Sequence, residues 1–192
     1  NTGRGYLGTA NNGTTTAALA FSGLINPETA PNPFGAVGFK TESEEWNGSA
    51  WAEGDDLSVG RQYISGAGIQ TAALGVGGHS PSIVATTESY DGSSWTEVAD
   101  LNVGRARLMG GGTHDAAIVA GGSSPSYVNS TEQWDNTSWT EVANLSVARG
   151  TGGSGITTSA ANGFVAGGQP SGGANDTEEW TYAVAAVTFT SS

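Results

Sequence analysis

Two consecutive stretches of 44 residues, Arg61–Gly104 and Arg105–Ala148, align without a gap and decide the fold. The first reads RQYISGAGIQTAALGVGGHSPSIVATTESYDGSSWTEVADLNVG, and the second reads RARLMGGGTHDAAIVAGGSSPSYVNSTEQWDNTSWTEVANLSVA. A third copy runs from Arg149 to Ser192, and a divergent copy opens at Arg4. Self-similarity at a fixed period of this size indicates a repeat architecture.

Five markers recur in one order through these copies. Each copy opens with an Arg, continues to a Gly pair, and then has a Glu two residues before an aromatic residue. The Arg residues are Arg4, Arg61, Arg105 and Arg149, and the Glu residues are Glu44, Glu88, Glu132 and Glu178. The Gly pairs are Gly77–Gly78, Gly121–Gly122 and Gly167–Gly168, with Ser22–Gly23 in the divergent copy. A second aromatic marker stands at Trp51, Trp95 and Trp139, and the last copy lacks it.

Each copy is predicted to form four short antiparallel strands. In the copy at Arg61–Gly104 we expect them at Gln62–Ser65, Thr71–Val76, Ala85–Tyr90 and Ser94–Ala99, where β-permissive residues cluster. Asp91–Gly92 and Asn47–Gly48 are hairpin turn signals, because Gly adopts positive φ without a steric penalty. No stretch has a sustained 3.6-residue period, so helix should be nearly absent.

A period of about 44 residues with four strands is typical of a β-propeller blade, and a β-solenoid is the alternative. We therefore predict an all-β fold, a small propeller forming a single domain over residues 1–192. The four blades are expected at residues 4–60, 61–104, 105–148 and 149–192, with a loop insert at residues 24–42 in the first. Glycines in the first strand of each copy are expected to pack at the cramped axis.

The markers together resemble kelch repeats. In that family an Arg opens the inner strand, a Gly–Gly doublet ends the second strand, and Tyr and Trp residues follow around the third and fourth strands. Tyr90 and Trp95 are five positions apart, closer than the usual kelch spacing. Phrases such as TESYDGSSWTEV and TEEW are similar to the compact kelch-like repeats of tailed bacteriophages of marine bacteria. The resemblance covers nearly the whole chain and implies a virion or extracellular location.

Composition excludes several classes of function. A net charge of -12 with only six basic residues would repel a phosphate backbone, so no nucleic-acid partner is expected. No run of about 18 apolar residues occurs, so no membrane insertion is expected. The absence of Cys removes disulfides, thiol catalysis and the usual zinc sites. His79 and His114 occupy different repeat positions, so we expect no metal site, no catalytic residue and no cofactor.

The repeated Arg residues have two interpretations. They could form a ring of cations that holds an anionic ligand, or each could pair with the Glu of its own blade. Strands one and three of a blade run in the same direction about 9–10 Å apart, so the two side chains can meet. We favour the structural pair, and expect an Arg→Ala change to cost about 1–2 kcal/mol if the contact is partly buried. The Trp residues at 51, 95 and 139 are expected to pack between blades.

The segments that differ between copies are the better binding candidates. They follow each Gly pair and should emerge on one face of the propeller, where loops on a rigid scaffold commonly carry function. In the divergent copy that opens at Arg4, this loop contains three prolines and several apolar residues. The candidate ligand-binding or partner-binding residues are Phe34, Val37, Phe39, His79, Ile83 and Tyr127.

From these features we expect a non-catalytic binding or structural domain. By resemblance it would be tail-associated or displayed on a virion surface, and would recognise a host-surface glycan or protein through the loops of one face. Its acidic, Lys-poor surface favours a neutral or cationic partner. The alternative is a structural decoration or filament subunit that contacts sister chains or other virion proteins. A sugar-acting enzyme is the least favoured reading, because no pair of carboxylates at a cleft-like separation stands out.

Overall fold

The computed structural model describes residues 3–25, 38–156, 162–169 and 177–181. Within these ranges all regular secondary structure is β-strand, and the strands form four antiparallel sheets plus one two-stranded ladder. The prediction of an all-β propeller with four blades is confirmed. The part of the chain that the structure describes contains no helix long and apolar enough to cross a membrane.

Each blade is one meandering sheet whose first strand lies nearest the propeller axis. Blade 1 contains β1 (Gly8–Thr9), β2 (Ala18–Phe21), β5 (Ser43–Trp46) and β6 (Trp51–Glu53), with β3 (Leu24–Ile25) and β4 (Gly38–Phe39) as the separate ladder. Blade 2 contains β7 (Ser65–Ile69), β8 (Ala72–Val76), β9 (Thr87–Tyr90) and β10 (Trp95–Glu97). Blade 3 contains β11 (Met109–Gly112), β12 (Ala117–Ala120), β13 (Thr131–Trp134) and β14 (Trp139–Val142). Blade 4 contains β15 (Gly153–Gly155), β16 (Asn162–Ala166) and β17 (Thr177–Thr181), and its expected fourth strand lies outside the described residues.

The hairpin turns between the third and fourth strands are those that the sequence predicts. Gly48 and Gly92 both have positive φ, at 92° and 91°. In blade 2 the Asp91 N–H donates to the Ser94 carbonyl, and the Asp91 carboxylate accepts two backbone N–H bonds within the same turn. These bonds lower the pKa of the Asp91 carboxyl, since they favour its charged form.

The first strand of blade 2 is not where the sequence placed it. The prediction of Gln62–Ser65 is wrong, because the strand spans Ser65–Ile69. Tyr63 has a φ of 55°, a left-handed conformation that an extended strand cannot contain. The chain therefore turns at Tyr63 and starts the strand at Ser65, on the small residues SGAG.

Blades pack face to face through apolar clusters. Between blades 1 and 2, Phe21 and Trp95 approach with ring centroids 4.9 Å apart, inside a cluster that also holds Leu19 and Tyr90. Between blades 2 and 3, Leu74 and Val76 join Trp134 and Trp139 in the equivalent cluster. The second Trp of blades 2 and 3 therefore fills the wedge toward the preceding blade, as expected.

Trp51 departs from this pattern, and its predicted packing between blades is wrong. Its side chain is 41% exposed, against 9% for Trp95 and 5% for Trp139. The Trp51 ring contacts Trp46 of its own blade, with ring centroids 5.6 Å apart. Since Trp95 and Trp139 contact the preceding blade, the position facing Trp51 belongs to blade 4, which places no described aromatic ring against it.

The inner strands converge so closely that side chains do not fit between them. A Cβ on Gly66 would lie against the Thr9 carbonyl, and one on Gly111 against the Ile156 carbonyl, both far inside van der Waals contact. Asn11 reaches across the axis and donates to the carbonyls of Gly66 and Gly110, at 2.9 and 2.8 Å. The glycines of the first strands therefore allow the tight ring.

Candidate functional site

The repeated Arg side chains are buried inside the blades. In blade 2 the Arg61 guanidinium donates to the carbonyls of Gly77 and Thr86, at 2.9 and 2.6 Å, and to Glu88 at 2.7 Å. Both side chains of the Arg61–Glu88 pair are 0% exposed. Equivalent pairs join Arg4 to Glu44, Arg105 to Glu132 and Arg149 to Glu178. The Arg–Glu contact that the sequence predicts is present in all four copies, and a buried guanidinium is closed to a ligand.

Each Glu in blades 2 to 4 also fixes the chain segment that enters its blade. The second carboxylate oxygen of Glu88 accepts the backbone N–H of Ser58 at 2.7 Å, and Glu178 accepts that of Ser146 at 2.6 Å. Burial lowers the pKa of the Arg61 guanidinium, and the neighbouring Glu88 opposes that shift. We call each Arg–Glu pair a lock, and in blades 2 to 4 the lock holds the ends of strands two and three to the inter-blade linker.

The described loops that follow Gly77–Gly78 and Gly121–Gly122 lie on one face of the propeller, which we call the loop face. Phe39 and His79 meet there, with ring centroids 5.8 Å apart, and His79 forms a β-bridge with Ile83. Tyr127 lies in the corresponding loop of blade 3, bridged to Ser123. The structure thus brings Phe39, His79 and Ile83 together. Phe34 and Val37 lie outside the described residues.

A row of side chains that the sequence analysis missed lies beside these loops. The row consists of Tyr6, Tyr63 and Arg107, each two residues after a repeated Arg, and we call it the strip. The rings of Tyr6 and Tyr63 are 4.5 Å apart, and the guanidinium carbon of Arg107 lies 4.2 Å from the centre of the Tyr63 ring. The shared spacing after the repeated Arg was a signal in the sequence, but the residue types differ between copies and hide it.

The strip belongs to the loop face and borders an axial cavity. Gln62, next to Tyr63, exchanges two backbone hydrogen bonds with His79. A cavity of about 180 Å³ is lined by residues from the inner strands of all four blades. Leu7, Ile64 and Leu108, which directly follow the three strip residues, are part of that lining.

Catalytic groups are sparse in the described ranges. His114 Nε2 lies 2.7 Å from Ser89 Oγ, across the junction of blades 2 and 3. No carboxylate among the described residues bonds the other nitrogen of His114, so the group of three that activates a serine nucleophile is incomplete there. The described residues also contain no cluster of three or more His, Asp or Glu that could hold a metal ion.

Comparison with solved structures supports the fold. The chain is similar to a structure described as YjhT, with a TM-score of 0.66 and 16% sequence identity. The match covers 82% of this chain and 60% of that one, so the chain spans less than two thirds of the neighbour's length. At this identity the likeness shows a β-propeller fold and nothing of function. No protein-family model and no curated protein matches the sequence.

Proposed function

We propose that this propeller is a non-catalytic recognition domain that binds its partner through the loop face. The observation that carries the proposal is the division of the basic residues. Four of the six are committed to the Arg–Glu locks, whereas Arg107 lies with Tyr6 and Tyr63 on the loop face. Exposed aromatic and Arg side chains on a rigid scaffold are typical of binding surfaces.

The resemblance to kelch-like repeats of tailed phages supplies the biological setting of the proposal. In that setting the domain is associated with a virion tail or surface, and its partner is a host-surface glycan or protein. The loops after the Gly pairs differ between copies while the strands stay alike, as recognition loops on a repeated scaffold would.

The proposal is tested by deleting residues 26–35 from the loop insert of blade 1. We expect the variant to keep the β-rich circular dichroism spectrum and melting temperature of the parent, and to attach to host cells at least about tenfold more weakly. Undiminished attachment by the folded variant contradicts a role for the insert. A matched deletion in blade 2, of Ser80 to Ser82, reports whether loops elsewhere on the same face contribute.

A structural subunit that contacts sister chains is the second candidate. It is favoured by exposed aromatic side chains on the sheet faces of blades 1 and 4 that do not pack against blades 2 and 3. Trp51 is 41% exposed on blade 1, and Phe164 is 46% exposed on blade 4. Phe164 corresponds to Leu19, Leu74 and Ile118, which are all buried against the next blade. Backbone bonds join Gly23 to Arg61, Gly78 to Arg105 and Gly122 to Arg149, but among described residues no bond joins Gly168 to Arg4.

Sedimentation velocity distinguishes the two candidates. A subunit that assembles through these faces sediments as concentration-dependent oligomers, and Trp51→Ser and Phe164→Ser each shift the distribution toward monomer. A recognition domain that acts alone stays monomeric, and the two substitutions leave its attachment to host cells unchanged.

A further inference from the structure

The strip has a backbone conformation that is repeated in every blade. Tyr6, Tyr63, Arg107 and Thr151 all have positive φ, between 55° and 59°, which is uncommon for residues other than Gly. Their backbones form a chain of hydrogen bonds, in which Tyr63 donates to Tyr6, Arg107 to Tyr63, and Thr151 to Arg107, at 3.0 to 3.1 Å. Strained conformations of this kind persist where the surroundings enforce them, and they cluster at binding sites.

Three of these four positions carry a side chain that can recognise a ligand. Tyr6 is 57% exposed, and Tyr63 contacts both Tyr6 and Arg107. Among the described residues, the Arg107 guanidinium has no ion pair and no hydrogen-bond partner, and it lies over the Tyr63 ring. Lys40, the remaining basic residue outside the locks, is paired with Glu42 at 3.0 Å. The N–H donors of the Arg107 guanidinium are therefore available to hydrogen-bond a ligand.

We propose that the strip binds a neutral glycan of at least two sugar units, an inference that rests on the proposed recognition function. One sugar ring packs its apolar face on Tyr6, where the exposed aromatic ring supplies a flat contact at little entropic cost. The next unit offers neighbouring hydroxyl oxygens to the Arg107 guanidinium, whose planar fork of donors suits two acceptors side by side. The axial cavity, which Leu7 and Leu108 help to line, provides a concave surface in which one end of the glycan can bind.

Charge selects neutral sugars over acidic ones. The chain has eighteen acidic and six basic residues, for a net charge of -12. An acidic glycan is repelled by this field, and Arg107 is a single cation whose donors bond uncharged hydroxyls as well as carboxylates.

The experiment is a calorimetric titration of the full chain with neutral tetrasaccharides of glucose, galactose, mannose and N-acetylglucosamine, and with uronic-acid tetrasaccharides of the same length. We expect at least one neutral tetrasaccharide to bind, and the uronic-acid forms to bind more weakly. Tyr6→Ala and Arg107→Gln should each weaken that binding by at least about tenfold. Trp51→Ala, an exposed aromatic outside the strip, and Lys40→Gln, a cation outside it, should change it by less than about twofold.

Several results overturn the assignment. They are preference for the uronic-acid forms, full binding by Tyr6→Ala and Arg107→Gln, or no binding by any tetrasaccharide. Thermal melting of each variant shows that a loss of binding is not a loss of fold. If tetrasaccharide binding fails but deletion of residues 26–35 still weakens attachment to host cells, the strip assignment is wrong and the recognition function stands. If the strip binds sugar but no loop deletion weakens attachment to host cells, the role proposed for the loops is wrong and the strip assignment stands.

Discussion

Thr87 and Thr131 occupy the same position in blades 2 and 3, and both are fully buried. Thr87 Oγ1 accepts the indole N–H of Trp139 at 3.1 Å, whereas Thr131 Oγ1 has no partner among the described residues. In the sequence, the copy that starts at Arg149 has Ala185 at the position that Trp139 occupies in the copy that starts at Arg105. A buried polar group without a partner destabilises the fold. The Thr87 hydroxyl therefore stabilises the protein through its hydrogen bond, whereas the Thr131 hydroxyl destabilises it.

We therefore predict that Thr87→Val lowers the free energy of unfolding by about 1–2 kcal/mol, because it leaves the Trp139 N–H without an acceptor. The matched change Thr131→Val should be neutral or stabilising, since it removes a hydroxyl that has no hydrogen-bond partner among the described residues. Urea unfolding followed by Trp fluorescence measures both. Equal destabilisation by the two changes contradicts the assignment of the hydrogen bond.

The Arg–Glu locks give a second prediction at this scale. The sequence predicted a cost of about 1–2 kcal/mol for a partly buried pair. The Arg61–Glu88 pair is fully buried, however, and removing one partner leaves an uncompensated charge in the interior. Glu88→Gln should therefore cost about 3–5 kcal/mol in unfolding free energy. Glu178→Gln should cost less, since 22% of the Glu178 side chain is exposed and water screens the remaining charge. Equal losses in the two variants argue against burial as the cause.

At the scale of the strand, the space around each glycine of the innermost strands determines whether Ala can replace it. A Cβ on Gly66 would collide with the Thr9 carbonyl, whereas the nearest atom to a Cβ on Gly153 is 4.0 Å away. Gly66→Ala should therefore destabilise the protein by about 1–3 kcal/mol or more, because β1 and β7 must separate. Gly153→Ala should be tolerated. Thermal melting of the two variants checks this, and a tolerated Gly66→Ala would mean that the ring can widen.

The three repeated Trp residues are expected to contribute unequally to stability, because they differ in how they pack at the junctions between blades. Trp139→Ala should cost about 3–5 kcal/mol, the usual range for a buried Trp. Trp51→Ala should cost far less, because its side chain is 41% exposed and contacts only its own blade's Trp46 among described rings. Acrylamide quenching offers an independent check. Loss of Trp51 should reduce the readily quenched fraction of fluorescence, and loss of Trp139 should not.

The regular spacing of the repeat predicted most strands, turns and contacts within the blades. The features that it did not predict have physical causes. The repeat period, the hairpin turns at Gly48 and Gly92, and the Arg–Glu contacts all follow from markers with a constant spacing. The first strand was misplaced because periodicity does not reveal the positive φ of Tyr63. The strip was missed for the same reason. Its members share a backbone conformation and a hydrogen-bond chain, whereas their side chains differ.

At the scale of the whole molecule, the acidic composition and the locks act in opposite directions. The chain has eighteen acidic residues and a net charge of -12, so its acidic residues outside the locks repel one another, and protonation relieves that repulsion. Protonation of Glu178 has the opposite effect, because it removes the charge that pairs with Arg149. Burial alone would raise the pKa of Glu178, but hydrogen bonds from Ser146 and the charge of Arg149 lower it below its usual 4.5. A carboxyl with a lowered folded-state pKa stabilises the fold above its unfolded-state pKa, and this contribution is lost as pH falls through the folded-state value.

High salt separates the two effects, because at about 0.5 M NaCl surface repulsion is screened while buried pairs are screened much less. Under that condition we predict that the urea concentration at the midpoint of unfolding stays constant between about pH 7 and pH 5. It should decrease once the pH is below 4.5, the usual pKa of Glu. Glu178→Gln cannot titrate, so its midpoint should fall less steeply over the acid range than that of the parent chain. The parent and the variant should differ most in stability at neutral pH and converge as the solution is acidified. A parent midpoint that rises on acidification in high salt would mean that repulsion among carboxylates, rather than the locks, controls the stability of this propeller.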